Sequence, residues 1–368
     1  MKPDILARAV AAAAVLALVG TGMLVPADAL AQGRAVPTFA NDAGWPKVPP
    51  QMKLGDISSV ALDANDNAFV LHRPRTLKGD DVAHKAPPVM VFDPSGAYVR
   101  SWGGDGSGHQ WVEREHGIHI DNKGFIWLGG NSCPTNGLPG LRPVADDQLL
   151  KFTADGKFVM QVGKSNESKG NADTMNFHRP ADAWVHSPTN EVFIADGYGN
   201  HRVVVLDADT GAFKRMWGAY GNKPVDDDHC DILRRTDFSE PGSAQFSIVH
   251  SIKVSKDGTV YVADREFHRV QAFTLDGKFI KQFNRGAPAF AKNLAFSPDP
   301  EQAFLYVGGD NDIVILDRKS LTQVGAITDP AVLGGGHHIA VDSKGNLYIA
   351  GTSQGMRRLL YKGMSASR

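Results

Sequence analysis

One pattern recurs along this 368-residue chain and narrows what it can fold into. Glu115-His116-Gly-Ile-His-Ile-Asp-Asn-Lys-Gly124-Phe-Ile-Trp127 returns as Val249-His250-Ser-Ile-Lys-Val-Ser-Lys-Asp-Gly258-Thr-Val-Tyr261. It returns again as Gly336-His337-His-Ile-Ala-Val-Asp-Ser-Lys-Gly345-Asn-Leu-Tyr348. Each copy sets a His eight residues before a turn Gly, at the head of an apolar run that alternates as a strand does. Three weaker copies complete the series, with Ser58, Ala181 and Lys292 in the His slot. Self-similarity at a fixed period is the signature of a repeat fold, so this series carries more weight than any single motif.

The slots are spaced by 58, 65, 69, 42 and 45 residues. The two short spacings are those of a four-stranded propeller blade, about 40–45 residues. The longer ones carry insertions at 76–88, 131–146 and 222–244. Within the third unit the strands read as 183–185, 192–195, 202–207 and 213–217, with turn formers between them. A content of 39 Gly and 21 Pro suits many short strands and tight turns. No segment after the N-terminal leader has helical periodicity. The reading is an all-β, six-bladed β-propeller over residues 54–368. Its last unit lacks a fourth strand, which residues between about Thr38 and Leu54, within an N-terminal segment at 32–53, are expected to supply.

Residues 1–31 read as a signal peptide. Lys2 and Arg8 precede a small apolar run, and Ala29-Leu-Ala31 offers small residues for cleavage before Gln32. An uncleaved anchor is the competing reading, disfavoured because the run is short and rich in Ala and Gly. The mature protein is then expected in a periplasm or outside the cell. A net charge of −1 leaves no basic field for nucleic acid or anionic lipid. An oxidising compartment permits a disulfide between Cys133 and Cys230, but spacing alone does not establish one.

In a propeller the first strand of each blade lines the central channel, so one register of those strands forms a ring about the axis. Here the ring reads Ser58, His116, Ala181, His250, Lys292, His337. His116, His250 and His337 fall on alternate blades. From three directions their imidazoles can meet one Zn²⁺ and leave a position open for water or substrate. The plainer alternative is a wet channel filled with polar side chains. His119, three residues from His116, is expected on the opposite strand face. His178, His186, His201 and His268 are expected at the surface or in turns, and His338 beside the ligand set.

These motifs resemble NHL repeats, and the site resembles that of the peptidyl-α-hydroxyglycine α-amidating lyases, six-bladed zinc propellers. The resemblance runs from about Leu54 to the C-terminus. It implies His116, His250 and His337 as zinc ligands. Leu71-His-Arg73 matches the segment carrying the family's catalytic Arg, and Asp196-Gly-Tyr198-Gly-Asn-His-Arg202 the segment carrying its catalytic Tyr. Ala263-Asp-Arg265-Glu matches a segment whose Arg lines the active site. The implied roles are Tyr198 as base, Arg73 as its electrostatic partner and Arg265 as a substrate or supporting contact. Read alone, Tyr198 and Arg265 sit where such repeats place ordinary turn residues. The chain departs from the family where the family's calcium-holding Asp is His338, so the calcium site is not carried over, and where a Met before the third ligand is Gly335. The resemblance implies a zinc-dependent cleavage of an N-acyl-α-hydroxyglycine to an amide and glyoxylate, by a monomer acting on a peptide or small molecule. Two other classes stay open: a non-catalytic propeller binding a peptide, glycan or protein partner, and a metal-dependent hydrolase of the same fold.

Overall fold

The structure, a computed structural model, describes residues 34–135, 140–226, 242–286, 289–329 and 336–366. The leader at 1–31 and Cys230 lie outside the described residues. Cys133 is disulfide-bonded.

Among the described residues, 24 strands form six antiparallel four-stranded sheets, and the helical segments are all short 3₁₀ turns. No helix among them is long and apolar enough to cross a membrane. Five sheets take their strands in chain order. Blade 1 begins at Asp56–Leu62, blade 2 at Glu115–Ile120, blade 3 at Asp182–His186, blade 4 at Val249–Val254 and blade 5 at Asn293–Phe296. Blade 6 begins at Gly336–Val341 and ends on the chain's first described strand, Ala35–Asn41. That strand pairs antiparallel with Gly355–Ala366, Ala35 opposite Ala366 and Asn41 opposite Leu359. It begins three residues earlier than the segment expected to supply it and stops at Asn41. Beyond it, Asp42 accepts from Arg358 Nε at 2.8 Å, and the buried Trp45 packs against Phe92 and Tyr348.

The six blades are held by six apolar clusters, one at each interface between neighbours. Phe69 and Val91 of blade 1 meet Ile118 and Leu128 of blade 2, and Trp127 and Leu149 of blade 2 meet Val192 and Val204 of blade 3. The same arrangement continues round the ring. Each sheet is therefore covered on both faces. That is why second strands such as Glu191–Asp196 are buried along their whole length instead of alternating with solvent. In three blades the turn between first and second strands uses one device. The Asp121 carboxylate accepts the backbone N–H of Lys123 and Phe125, both at 2.9 Å, and Asp63 and Asp342 do the same in blades 1 and 6.

Three histidines expected at the surface or in turns, His186, His201 and His268, do lie at strand ends or turns but are buried. A ring nitrogen of each finds a partner: Thr189 for His186, the Ser247 carbonyl for His201, the Ala289 carbonyl for His268.

Candidate metal centre

His116, His250 and His337 converge on the axis. Their nearest ligand atoms all lie within 4.8 Å of one another, and their ring centroids are 4.6–5.0 Å apart. Local backbone irregularity makes this convergence. In blades 2, 4 and 6 the pairing of first and second strands slips across the His, between Glu115 and Ile118, Val249 and Ser251, and Gly336 and His338. Such a bulge leaves a residue out of the ladder and re-aims its side chain. Blade 1 slips in the same way across Ser58, between Ile57 and Ser59, whereas blade 3 pairs without a break from Asp182 and blade 5 from Asn293.

The bulge also corrects the expected position of His119. The extra residue cancels the change of face, so His116 and His119 both turn toward blade 3. His116 meets Ala181 and Tyr198 there, while His119 stacks on Trp184 at 4.6 Å and accepts the Val185 N–H at 3.1 Å. It lies further along the channel and is no part of the ligand set.

Each candidate ligand is held from behind by a backbone carbonyl of the next blade. His116 Nδ1–H donates to Ala181 O at 2.7 Å, His250 Nδ1–H to Lys292 O at 2.6 Å, and His337 Nδ1–H to Ser58 O at 2.6 Å. A carbonyl can only accept, so each neutral ring carries its proton on Nδ1 and presents the Nε2 lone pair. Burial, with the neighbouring His and Arg charges, pushes all three imidazoles well below their usual range, which keeps them neutral. His250 Nε2 is buried without a hydrogen-bond partner, an arrangement costing about 1–3 kcal/mol unless something fills it. Three neutral nitrogen donors, oriented through their other nitrogen and fully desolvated, form a set that a divalent ion completes. The same region offers little to a calcium ion. His338 stands where oxygen would be needed, and the buried Asp182 carboxylate already accepts from Lys253 Nζ, Ser251 Oγ and the Ile252 N–H.

Tyr198 stands beside the triad. Its hydroxyl donates to His116 Nε2 at 2.9 Å and accepts from Arg265 Nη1 at 2.9 Å. The Arg265 and Arg179 guanidinium carbons lie 5.3 and 5.4 Å from the centroid of its ring. The turn carrying it is architecture on either side. Asp196 forms a fully buried ion pair with Arg202 at 2.8 Å, as Asp264 does with Arg269 at 2.9 Å in the next blade. A Cβ on Gly197 would sit 2.2 Å from the Val249 carbonyl oxygen, and one on Gly199 2.4 Å from the His178 ring. The turn reading therefore holds for the neighbours of Tyr198 and not for Tyr198 itself. Arg73 ends the second strand of blade 1, fully buried, its Nε donating to Glu115 O at 2.7 Å. Its charge acts on His116 and His337, while burial lowers its own pKa to about 10. The direct hydrogen bond to Tyr198 comes from Arg265.

Sequence reasoning missed Arg179. It is buried at φ 67°, a rare conformation for a residue with a side chain, and donates from Nη1 to Tyr198 O at 3.1 Å. Only its place two residues before a ring slot would have marked it. The three carbonyls behind the histidines were likewise invisible, since a carbonyl has no residue type.

A model of the NHL repeat matches residues 246–273, and one of a beta-propeller repeat matches 322–355. Among curated relatives, peptidyl-glycine alpha-amidating monooxygenase A of Xenopus laevis is 27% identical over 272 residues, 69% of this chain and 25% of that protein. This chain thus spans about a quarter of that relative's length. NHL repeat-containing protein 3 of Homo sapiens is 26% identical over 331 residues, 84% of this chain and 80% of that protein. A probable peptidyl-alpha-hydroxyglycine alpha-amidating lyase of Caenorhabditis elegans is 29% identical over 239 residues, 61% of this chain and 57% of that protein. Six four-stranded blades and the repeat match show a six-bladed β-propeller carrying an NHL repeat, similar at 25–29% identity to NHL repeat-containing proteins and to proteins named as peptidyl-α-hydroxyglycine α-amidating lyases.

Proposed function

We propose that this chain is a zinc-dependent carbon–nitrogen lyase that cleaves an N-acyl-α-hydroxyglycine to a primary amide and glyoxylate. The observation that carries the reading is the position of the Tyr198 hydroxyl, 2.9 Å from both a candidate ligand, His116, and Arg265. The names of two relatives, of Caenorhabditis elegans and Drosophila melanogaster, point the same way.

His116, His250 and His337 would hold the ion, and three imidazoles suit zinc. Once bound, it supplies a Lewis acid that polarises the substrate hydroxyl. Ligation takes up the His116 lone pair and leaves Arg265 as the partner of Tyr198. Tyr198 acts from its phenolate form, whose charge Arg265 and Arg179 offset. The phenolate accepts the hydroxyl proton as the O–H electron pair becomes the carbonyl π bond of glyoxylate. The C–N bond breaks, and the departing nitrogen takes its proton back from Tyr198. Atoms balance without water. Arg73 and Arg265 would be the cations that receive the substrate carboxylate.

The test is glyoxylate release from N-benzoyl-α-hydroxyglycine by metal-loaded protein. The wild type is expected to turn over, and Tyr198→Phe to lose at least 100-fold in kcat at unchanged metal content. Full activity in Tyr198→Phe would remove Tyr198 as base. A metal-loaded protein releasing no glyoxylate would favour a binding propeller. Export is proposed from the leader-like residues 1–31, and the disulfide at Cys133 supports it. N-terminal sequencing of exported protein should begin at Gln32; a chain retained in the cytoplasm with residues 1–31 intact would refute export.

A further inference from the structure

Further along the channel from the histidine triad lies a cavity. It has a volume of about 270 Å³ and is lined from all six blades, with Val60, His119, Trp184, Lys253, Phe296 and Ile339 contributing one wall each. His338 lies at its lining and beneath the triad, its ring 5.1–5.5 Å from all three candidate ligands, its buried Nε2 without a partner. His119 and Lys253 stand three residues beyond His116 and His250, which places them roughly 10 Å further along their strands. The cavity is thus on the opposite side of the triad from Tyr198 and Arg265.

The lining has a definite chemistry. Val60, Trp184, Phe296 and Ile339 give it an apolar side, with the Trp184 indole as the broad flat face. The rest of its lining includes polar groups: Ser297 and Gln302 stand beside the donors His119, Lys253 and Lys256. His119 Nε2 accepts the Val185 N–H, so the neutral ring keeps its proton on Nδ1. Lys253 stacks its ammonium 5.1 Å from the Trp184 ring, with Asp182 behind it balancing its charge. Lys256, exposed at the edge, adds one unbalanced positive charge, and no carboxylate lines the cavity. At about 30 Å³ per water, the space equals roughly nine waters, a volume that suits a ligand of about ten non-hydrogen atoms.

We propose that this cavity is a second binding site, for a small monocarboxylate with an aromatic or branched apolar body. The body lies on Trp184 and Phe296, and the carboxylate takes N–H donors from His119 and the two lysines. The proposal does not depend on the lyase reaction.

Carboxylates also bind zinc, so the experiment must separate the two sites. Benzoate, phenylacetate and 3-methylbutyrate are titrated into the full chain by calorimetry. The Trp184 indole resonance, assigned with Trp184→Phe, is followed by NMR. Chelator-treated wild type is expected to bind one phenylacetate per chain and to shift Trp184, with benzamide binding at least tenfold more weakly. Lys256→Gln should weaken phenylacetate at least threefold, and Ala340→Leu, which fills the cavity, should abolish the Trp184 shift while leaving metal content and melting temperature unchanged. Ala61→Leu provides a second filling variant if Ala340→Leu does not fold. The proposal is overturned if none of the three acids binds saturably. It is equally overturned if binding survives both filling variants, or disappears with the metal and so belongs to the triad.

Discussion

Loading the triad with zinc should stabilise the whole propeller, and the size of the effect follows from the site. All three imidazoles are neutral in the folded protein, with Nδ1 fixed by a carbonyl at 2.6–2.7 Å, so the ion meets donors needing neither deprotonation nor reorientation. A ligand bound only by the folded state adds about 2.7 kcal/mol at 100 times its Kd. With roughly 300 folded residues, at about 2.1 cal/mol/K of unfolding entropy each, that raises Tm by about 4 °C. The assay is differential scanning calorimetry of chelator-stripped protein across a zinc series, with bound metal measured by mass spectrometry. His250→Ala removes the donor whose Nε2 has no other partner and should abolish the shift. His119→Ala should keep it, because His119 serves blade 3 instead. The pH dependence has a definite sign. Folded-state pKa values lie below the free value, so protons compete with zinc only well under pH 6.5, and the shift at pH 6.5 should match that at pH 7.5. A zinc shift as large in His250→Ala as in wild type would refute the assignment, as would a wild type that retains no metal.

Three further outcomes test the frame around the site. His72 accepts the Gly55 N–H on Nδ1 and donates from Nε2 to the Pro87 carbonyl, and burial pushes its pKa down to about 4. Because the folded value is depressed, its contribution of about 3 kcal/mol is present above pH 6.5 and lost as pH falls toward 4; urea melts of wild type and His72→Asn should differ in slope over that window. A Cβ at Gly117 would stand 2.2 Å from Ala181 O, the carbonyl that holds His116, so Gly117→Ala should destabilise by about 3 kcal/mol or more and weaken metal binding. Deleting residues 1–41 removes the strand that closes blade 6, and limited proteolysis should then cut first within Gly355–Ala366, which keeps Leu347–Gly351 on one side but becomes an open edge on the other.

The architecture was legible because a repeat reports itself six times. Strand alternation, the turn Asp and the turn Gly are local signals, and each copy reinforces the others. What stayed hidden depended on a one-residue irregularity. The expected face of His119 came from counting along an ideal strand, and the bulge at His116 reverses that count. Arg179 carries no motif, and its place over Tyr198 comes from a backbone conformation that nothing in its residue type announces. The burial of His201 and His268 comes with partners 46 and 21 residues away, which strand counting does not reveal.

The alternation of histidines has a structural cause, which bears on how much the ring slots mean. Six side chains of imidazole size at one level would crowd the axis, while three leave their Nδ1 protons in need of acceptors in a place without water. The intervening blades supply those acceptors from the main chain, at Ala181, Lys292 and Ser58. A main-chain acceptor sets no demand on its side chain, so these slots can hold residues as unlike as Ser, Ala and Lys. The Lys292 ammonium in fact turns away to Asp310. The two sets of slots therefore have different tolerances. Exchanging Lys292 for Ala should leave zinc affinity within about threefold, whereas the same exchange at His250 removes the site. A loss of metal on Lys292→Ala as complete as on His250→Ala would mean that the side chains of the odd blades, and not their carbonyls, organise the centre.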